Sequence, residues 1–574
     1  MKASVAGHPL PSGEGVGFCI CAENDVVLCS FRPLAVAADL AKLPHSGEAK
    51  TVTAGLLILL LSVLCISSQA LFGQAKSEAQ LHAERGLQIM QAGDLPAAEA
   101  EFRQAVKLSP RDPTYLSDLG VVLGMEQRLA DSDRYFEEAL RLEPGNVSIR
   151  RNLAKNQWRL GEFESARTNL LKVLAAQPGD GESTLILGMV EENLRHFASA
   201  ARLLNSVPAL VMQHPEAVAA LAHSYYEIKN PAGGRRTLRE LFEANAPPEA
   251  LYLGGQTALA AEDFTTAEEL FVAAGPGYPD RAKLGYYLAF CRYRSGKFRD
   301  CQETVLATLA AGPPTRELYT LLGWCYGRQD KIEEATKAFD QAVALDPGNE
   351  TTYLDLGTLL LEHRQDELAL ALGRETVGKF PNSYRALMLR GMAEADLGYL
   401  TDAVKSFGRV VELNPESPEA NYDLATIQSV AGFGSDALET LQGGIKKFPR
   451  DAPHYQAYAA LEVPQAEGGD AAAETRAYEA LHKALSLDPK LAQAHLLLGR
   501  LELKNNRVES AVHELETASK LDPNDAAVHQ TLSRAYARLG ASEKAAMELA
   551  TYKKLAQAQL RGGGGRAPIA LRPW

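Results

Sequence analysis

The sequence predicts an all-α chain in which short helix-turn-helix units stack one on the next as a solenoid. Three observations carry that prediction. Prolines stand at Pro279, Pro313, Pro347, Pro381, Pro415 and Pro449, each 34 residues from the next, and a fixed period of this length marks a stacked repeat. In the same phase, 24 residues before each proline, lies a very small residue: Gly255, Ala289, Gly323, Gly357, Gly391 and Ala425. Twelve before stand Ala267, Cys301, Ala335, Ala369, Ala403 and Ala437, and eight before, three copies place Phe271, Phe339 and Phe407.

These positions account for the elements of one unit in order. Apolar residues at helical spacing on both sides of a central turn make two amphipathic helices. Small residues fall where the two backbones must approach closely, and the aromatic fills the gap that remains. Proline then stops the second helix, because its ring clashes with the preceding turn and it has no N–H to donate.

The run Leu322-Gly323, Tyr326, Ala335, Phe339, Ala342 and Pro347 resembles the tetratricopeptide repeat, a 34-residue helix-turn-helix unit. The resemblance implies a right-handed superhelix whose first helices line a concave side. About fourteen copies are expected between residues 77 and 556. Each pair covers the apolar face of its neighbour, so an isolated pair is not expected to be stable.

Composition narrows the class. With 46% hydrophobic and 23% charged residues the 574-residue chain reads as an ordinary folded protein. A net charge of −13 argues against a general nucleic-acid binder, which carries a basic face. Cys19, Cys21, Cys29, Cys65, Cys291, Cys301 and Cys325 form no cluster with metal spacing. No cofactor is expected, since the sequence contains no nucleophile elbow, phosphate-binding glycine loop or dinucleotide fingerprint.

Taken in order, residues 1–50 lack helical or strand period and are expected to be disordered. Residues 51–75 hold the apolar run Ala54 to Ile66, with Lys50 before it and small residues after it. That is the layout of a cleaved secretory signal. Read on to Phe72, the same stretch is long enough to be a membrane anchor through 54–72. Either way the repeats are expected outside the cytoplasm, in the periplasm or held at the inner membrane. N-terminal repeats run through 77–215, the third of them looser, degenerate ones through 216–279, regular ones through 280–449, and a last set with an insertion near 463–470 through 450–556. Lys229 to Gly234 is expected to break the helical pattern, as a shortened turn or a hinge. Val463 to Asp470 is expected to break or extend an inter-helix turn, because Pro489 follows Pro449 by 40 residues instead of 34. A flexible tail is expected over 557–574.

The family resemblance also supplies a register for binding. It places the second, fifth, ninth, twelfth and thirteenth residues of each copy on the concave side. In the central copies these include Tyr252, Gln256, Tyr286, Phe290, Tyr293, Arg294, Trp324, Arg328 and Tyr422. Aromatic and Arg side chains dominate interface energies, although the same residues at helical spacing also serve as ordinary packing. A second candidate is the helix face carrying Arg151, Lys155, Trp158 and Arg159, either a site for an acidic peptide or a solvated basic face. Tyr287, Tyr319, Tyr326 and Tyr353 fall at places expected to be buried. Cys291 and Cys301 lie opposite each other in one hairpin, as a possible disulfide or as two small buried thiols.

The functional expectation is a non-catalytic scaffold that binds peptide or partner-protein segments in its concave groove, in an envelope-associated complex. The alternative is an exported receptor that captures a small molecule or glycan on the same aromatic surface.

Overall fold

The computed structural model describes residues 77–561, residue 276 apart. The segments 1–50 and 51–75, with their four cysteines, and the tail from 562 on lie outside the described residues. Among the described residues the regular elements are twenty-nine α-helices. None of them is long and apolar enough to cross a membrane. Contacts divide the chain into two units, one ending at Gln213 and the other starting at His214. Within each unit the helices pair in sequence, and each pair packs on the next.

Local chemistry sets both ends of a unit. First helices are entered through a polar cap: Asp280, Asn349, Ser383 and Ser417 accept hydrogen bonds from the backbone N–H groups of Lys283, Thr352, Ala386 and Ala420. This satisfies one of the orphan donors of the first turn. The turn into the second helix instead uses one left-handed residue, such as Gly296 at φ 75° or Asp330 at φ 61°.

The small-and-aromatic pattern is a steric pairing within several of the units, and Gly188 and Gly499 make the same close approach to Leu204 and Leu515. A Cβ added at Gly120, Gly255 or Gly323 would lie 2.7, 2.5 and 2.5 Å from the rings of Phe136, Phe271 and Phe339, respectively. Where the first helix carries Ala in place of Gly, the second carries a smaller filler. Ala154 meets Leu170, Ala289 meets Val305, and Ala425 meets Leu441, all buried in shared clusters. The unit ending at Pro381 departs from both schemes, with Gly373 at the aromatic position. Gly357 lies instead against the next first helix, where its Cβ would be 2.3 Å from Leu389, and a Cβ on Gly373 would be 2.9 Å from the backbone of Arg390.

Several expectations are corrected or narrowed. Between Lys229 and Gly234 the turn is confined to Lys229, at φ 61°, and Asn230, which caps a helix over Pro231–Glu243 with proline in its first turn, where a missing N–H costs nothing. Gly233 and Gly234 are buried inside that helix because Tyr225 and Tyr226 press on them, 2.9 and 2.8 Å from where a Cβ would sit.

The residues inserted near 463–470 lengthen two helices and leave the turn short. They form Ala452–Glu467, with Pro464 inside it, and Ala471–Leu487, spanning 16 and 17 residues. Only Gly468, Gly469 at φ 103° and the capping Asp470 separate them.

The disulfide joins Cys301 to Cys325, with Cα atoms 6.4 Å apart, and leaves Cys291 as a buried thiol. Cys291 faces back toward Glu268 of the preceding unit, and burial pushes its thiol up to about 12. Cys301 faces forward into the cluster of Leu318, Leu322 and Cys325. The bridge therefore links one unit to the next instead of closing a hairpin. Of the tyrosines expected in the core, Tyr353 is 1% exposed, whereas Tyr287, Tyr319 and Tyr326 stay partly exposed.

Candidate binding groove

In the second unit the first helices Arg281–Arg294, Arg316–Gly327, Glu350–Glu362 and Tyr384–Asp396 touch in succession, in addition to their contacts with second helices. That arrangement lines them along one continuous face. On it, Tyr286 and Phe290 stack one turn apart with ring centroids 6.2 Å from each other, both half-buried. Burial pushes the Tyr286 phenol up to about 12. The exposed Arg294 guanidinium lies 4.6 Å from the Phe264 ring and 5.8 Å from that of Phe290. Such cation–π contacts hold a guanidinium flat against a surface. Arg328 donates to the Tyr293 hydroxyl at 3.3 Å and pairs with Glu362 at 3.3 Å. The fold thus brings Tyr286, Phe290, Tyr293, Arg294 and Arg328 together.

The remaining aromatic candidates are placed elsewhere. Tyr252 is 6% exposed, stacked on Tyr278 at 4.2 Å and packed against Phe271. Trp324 is 8% exposed, inside a cluster with Phe339, Leu356 and Leu360, with only the Arg328 guanidinium over its ring at 5.7 Å. Both are walls of the groove more than contact surface. Tyr422 lies on a later first helix, half-buried and edge-on to His454.

In the first unit, Arg151 pairs with Asp180 and Glu182 at 3.4 and 3.1 Å, and Lys155 with Glu182 at 3.5 Å. Trp158 packs against the cluster of Leu170 and Leu187. Acid on the following repeat already answers the charge of that basic face, so a competing peptide carboxylate would have to displace it.

Beyond the aromatic run the same face hollows into a cup of about 430 Å³ between the 350–362 and 384–396 helices. Leu354, Thr358 and Leu361 line one side, and Met388, Leu389 and Met392 the other. At one end Arg364 pairs with Asp396 at 3.3 Å, and Glu362 is held by Arg328. At the other stands the exposed Arg385. Next to Leu354 is Asp355, whose carboxyl burial pushes up to about 7; the Trp324 indole N–H, Arg385 and Arg316 oppose that shift.

Models described as tetratricopeptide repeat match residues 85–147, 123–184, 316–349, 354–418, 395–461 and 473–535, together more than half of the chain. The chain is a tetratricopeptide repeat protein. Proteins of this kind typically serve as non-catalytic scaffolds for protein–protein contact. It is similar to cellulose synthase operon protein C of Komagataeibacter xylinus, 30% identical over 118 residues, which are 19% of this chain and 9% of that protein. It is also similar to the TPR repeat-containing thioredoxin TTL4 of Arabidopsis thaliana, 31% identical over 19% of this chain and 16% of that one. The chain thus matches only a small part of the length of either relative. Among solved structures, yeast Tom70 aligns over 84% of this chain and 99% of its own at 17% identity, with a TM-score of 0.35.

For this tetratricopeptide repeat protein the concave register also locates the cup. Leu354, Thr358, Leu361 and Glu362 occupy the fifth, ninth, twelfth and thirteenth places of one copy, and Arg385, Met388, Met392 and Asp396 the second, fifth, ninth and thirteenth of the next. A search weighted toward aromatics passes over them. The signal that finds them is the loss of bulk at the ninth place, where Phe290 and Trp324 give way to Thr358.

Proposed function

We propose that this protein is a non-catalytic scaffold whose second unit binds an extended or helical segment of a partner protein along the face of its first helices. The observation that carries this reading is the partly exposed run Tyr286, Phe290, Tyr293, Arg294 and Arg328 on adjacent helices, leading into an apolar cup. Aromatic and Arg anchors beside a concavity are the usual centre of an interface. We place the repeats outside the cytoplasm, in an envelope-associated complex, either released by cleavage of the apolar stretch or tethered through 54–72. A charged residue followed by an apolar stretch in the sequence supports this. The Cys301–Cys325 bridge does too, since an oxidising compartment sustains it, as does the likeness to a bacterial cellulose synthase operon protein.

Affinity capture from envelope fractions tests the reading. The parent chain should retain a stoichiometric protein, and Tyr286→Ala combined with Arg294→Ala should lose it while melting as the parent does. Retention by that double variant, or capture of a glycan with no protein, overturns it.

A further inference from the structure

The cup beyond the aromatic run has a specific origin. In the unit ending at Pro381 the aromatic position is Gly373, so the second helix has no ring to insert over Gly357. Leu389 of the following first helix occupies that place instead. With Thr358 short at the ninth position, the wall steps back between the two first helices. The floor is then made by Leu354, Leu361, Met388 and Met392. Methionine side chains are unbranched and polarisable, so they adapt to varied aliphatic shapes.

The charges around the cup are not equivalent. Glu362 is tied to Arg328, and Arg364 to both Asp366 and Asp396. Arg385 lines the opposite end, exposed, and among the described residues it makes no hydrogen bond or ion pair. It acts on Asp355 only through its field. The one uncommitted charge at the rim is therefore positive, on an otherwise acidic chain. A cavity of this volume suits a compact apolar group.

We propose that the cup receives two adjacent aliphatic side chains of the partner polypeptide, with a neighbouring partner carboxylate paired to Arg385. This deepens the groove reading above and rests on it. Arg is suited to the second role, because its planar fork meets a carboxylate with two parallel N–H donors. An aliphatic pair flanked by a basic residue would place like charge against Arg385 and is disfavoured.

Fluorescence anisotropy with two labelled ten-residue peptides, one carrying Asp-Leu-Leu and one Lys-Leu-Leu in the same Gly-Ser context, tests this on the full chain. The acidic peptide should bind about tenfold or more tightly than the basic one. Arg385→Glu, at an exposed position, should reverse that order, and Met392→Lys should abolish binding of both while helicity and melting stay at parent values. Equal affinities for the two peptides, an unchanged order in Arg385→Glu, or no binding of either peptide overturns the proposal. Tyr286 and Arg294 lie outside the cup, so loss of the natural partner in their double variant reports on the groove independently.

Discussion

Substituting Gly323→Ala should damage the chain, and a second substitution should repair it. A Cβ at residue 323 would stand 2.5 Å from a ring carbon of Phe339, which is itself fully buried. Overpacking of this kind costs roughly 1–3 kcal/mol, and replacing a helical glycine returns about 1 kcal/mol, so a net loss of about 1 kcal/mol is expected. Phe339→Leu alone should cost roughly 1–2 kcal/mol by leaving the glycine side underfilled. Together they recreate the Ala425 and Leu441 pairing found three hairpins further on. The combined variant should therefore be more stable than the sum of the two losses predicts, by at least about 1 kcal/mol, since touching residues couple. A solenoid need not unfold as one unit, so the measurement is amide hydrogen exchange within the 316–327 helix, which reports local opening. Coupling of 1.4 kcal/mol corresponds to about tenfold in protection. Strict additivity to within about 0.5 kcal/mol would refute the steric account.

The last described hairpin should be pH-sensitive. Both ring nitrogens of His529 face acceptors, the Glu548 carboxylate at 2.6 Å and the Pro523 carbonyl at 2.9 Å, so the imidazolium is favoured and its pKa is raised despite burial, which lowers it. A raised histidine contributes stability that is complete below its unfolded value near 6.5 and is lost as pH climbs through the folded one. Exchange protection in the 526–538 helix should fall from pH 6 to pH 8.5, and Glu548→Gln should flatten that profile. Asp355 has the same sign for a different reason: burial raises its carboxyl from 3.8 to about 7, so the fold weakens as pH climbs between those values and the loss is complete above about 7. Asp355→Asn should raise the melting temperature relative to the parent at pH 8 and leave it unchanged at pH 4; equal shifts at both would dismiss the assignment. Peptide mapping without reductant should return Cys301 linked to Cys325, with Cys291 alkylated only after unfolding. A Cys291–Cys301 peptide would contradict the structure.

The architecture was legible because the residues that define it interact at fixed sequence separation. Gly323 and Phe339 belong to one hairpin, so their complementarity recurs in phase and shows up as period. What the period cannot carry is the neighbour's contribution. Phe290 and Trp324 occupy the same place in successive copies, yet one stays half exposed while the other is covered by Leu356 and Leu360 of the next unit's first helix. Cys301 illustrates the same limit: its partner sits in the next hairpin and not its own. Glycine and proline misled where packing overrode local preference. Gly233 and Gly234 read as a turn and are instead helical contact points for two tyrosines. The cup was hidden because its residues are unremarkable singly, and it exists only through a missing ring at residue 373.

The variation of this pairing along the chain, Gly with Phe in some hairpins, Gly with Leu at Gly188 and Gly499, and Ala with Leu or Val in others, also bears on how such a chain finds its own partners while it folds. Tandem copies of one hairpin invite a first helix to close on the wrong second helix, since the alternatives look alike. Here an Ala-bearing helix that closed on a Phe-bearing one would collide, and a Gly-bearing helix closed on Val would leave a void. Unequal keys cut into otherwise similar neighbours penalise mistaken assembly at the step where the mistake would be made.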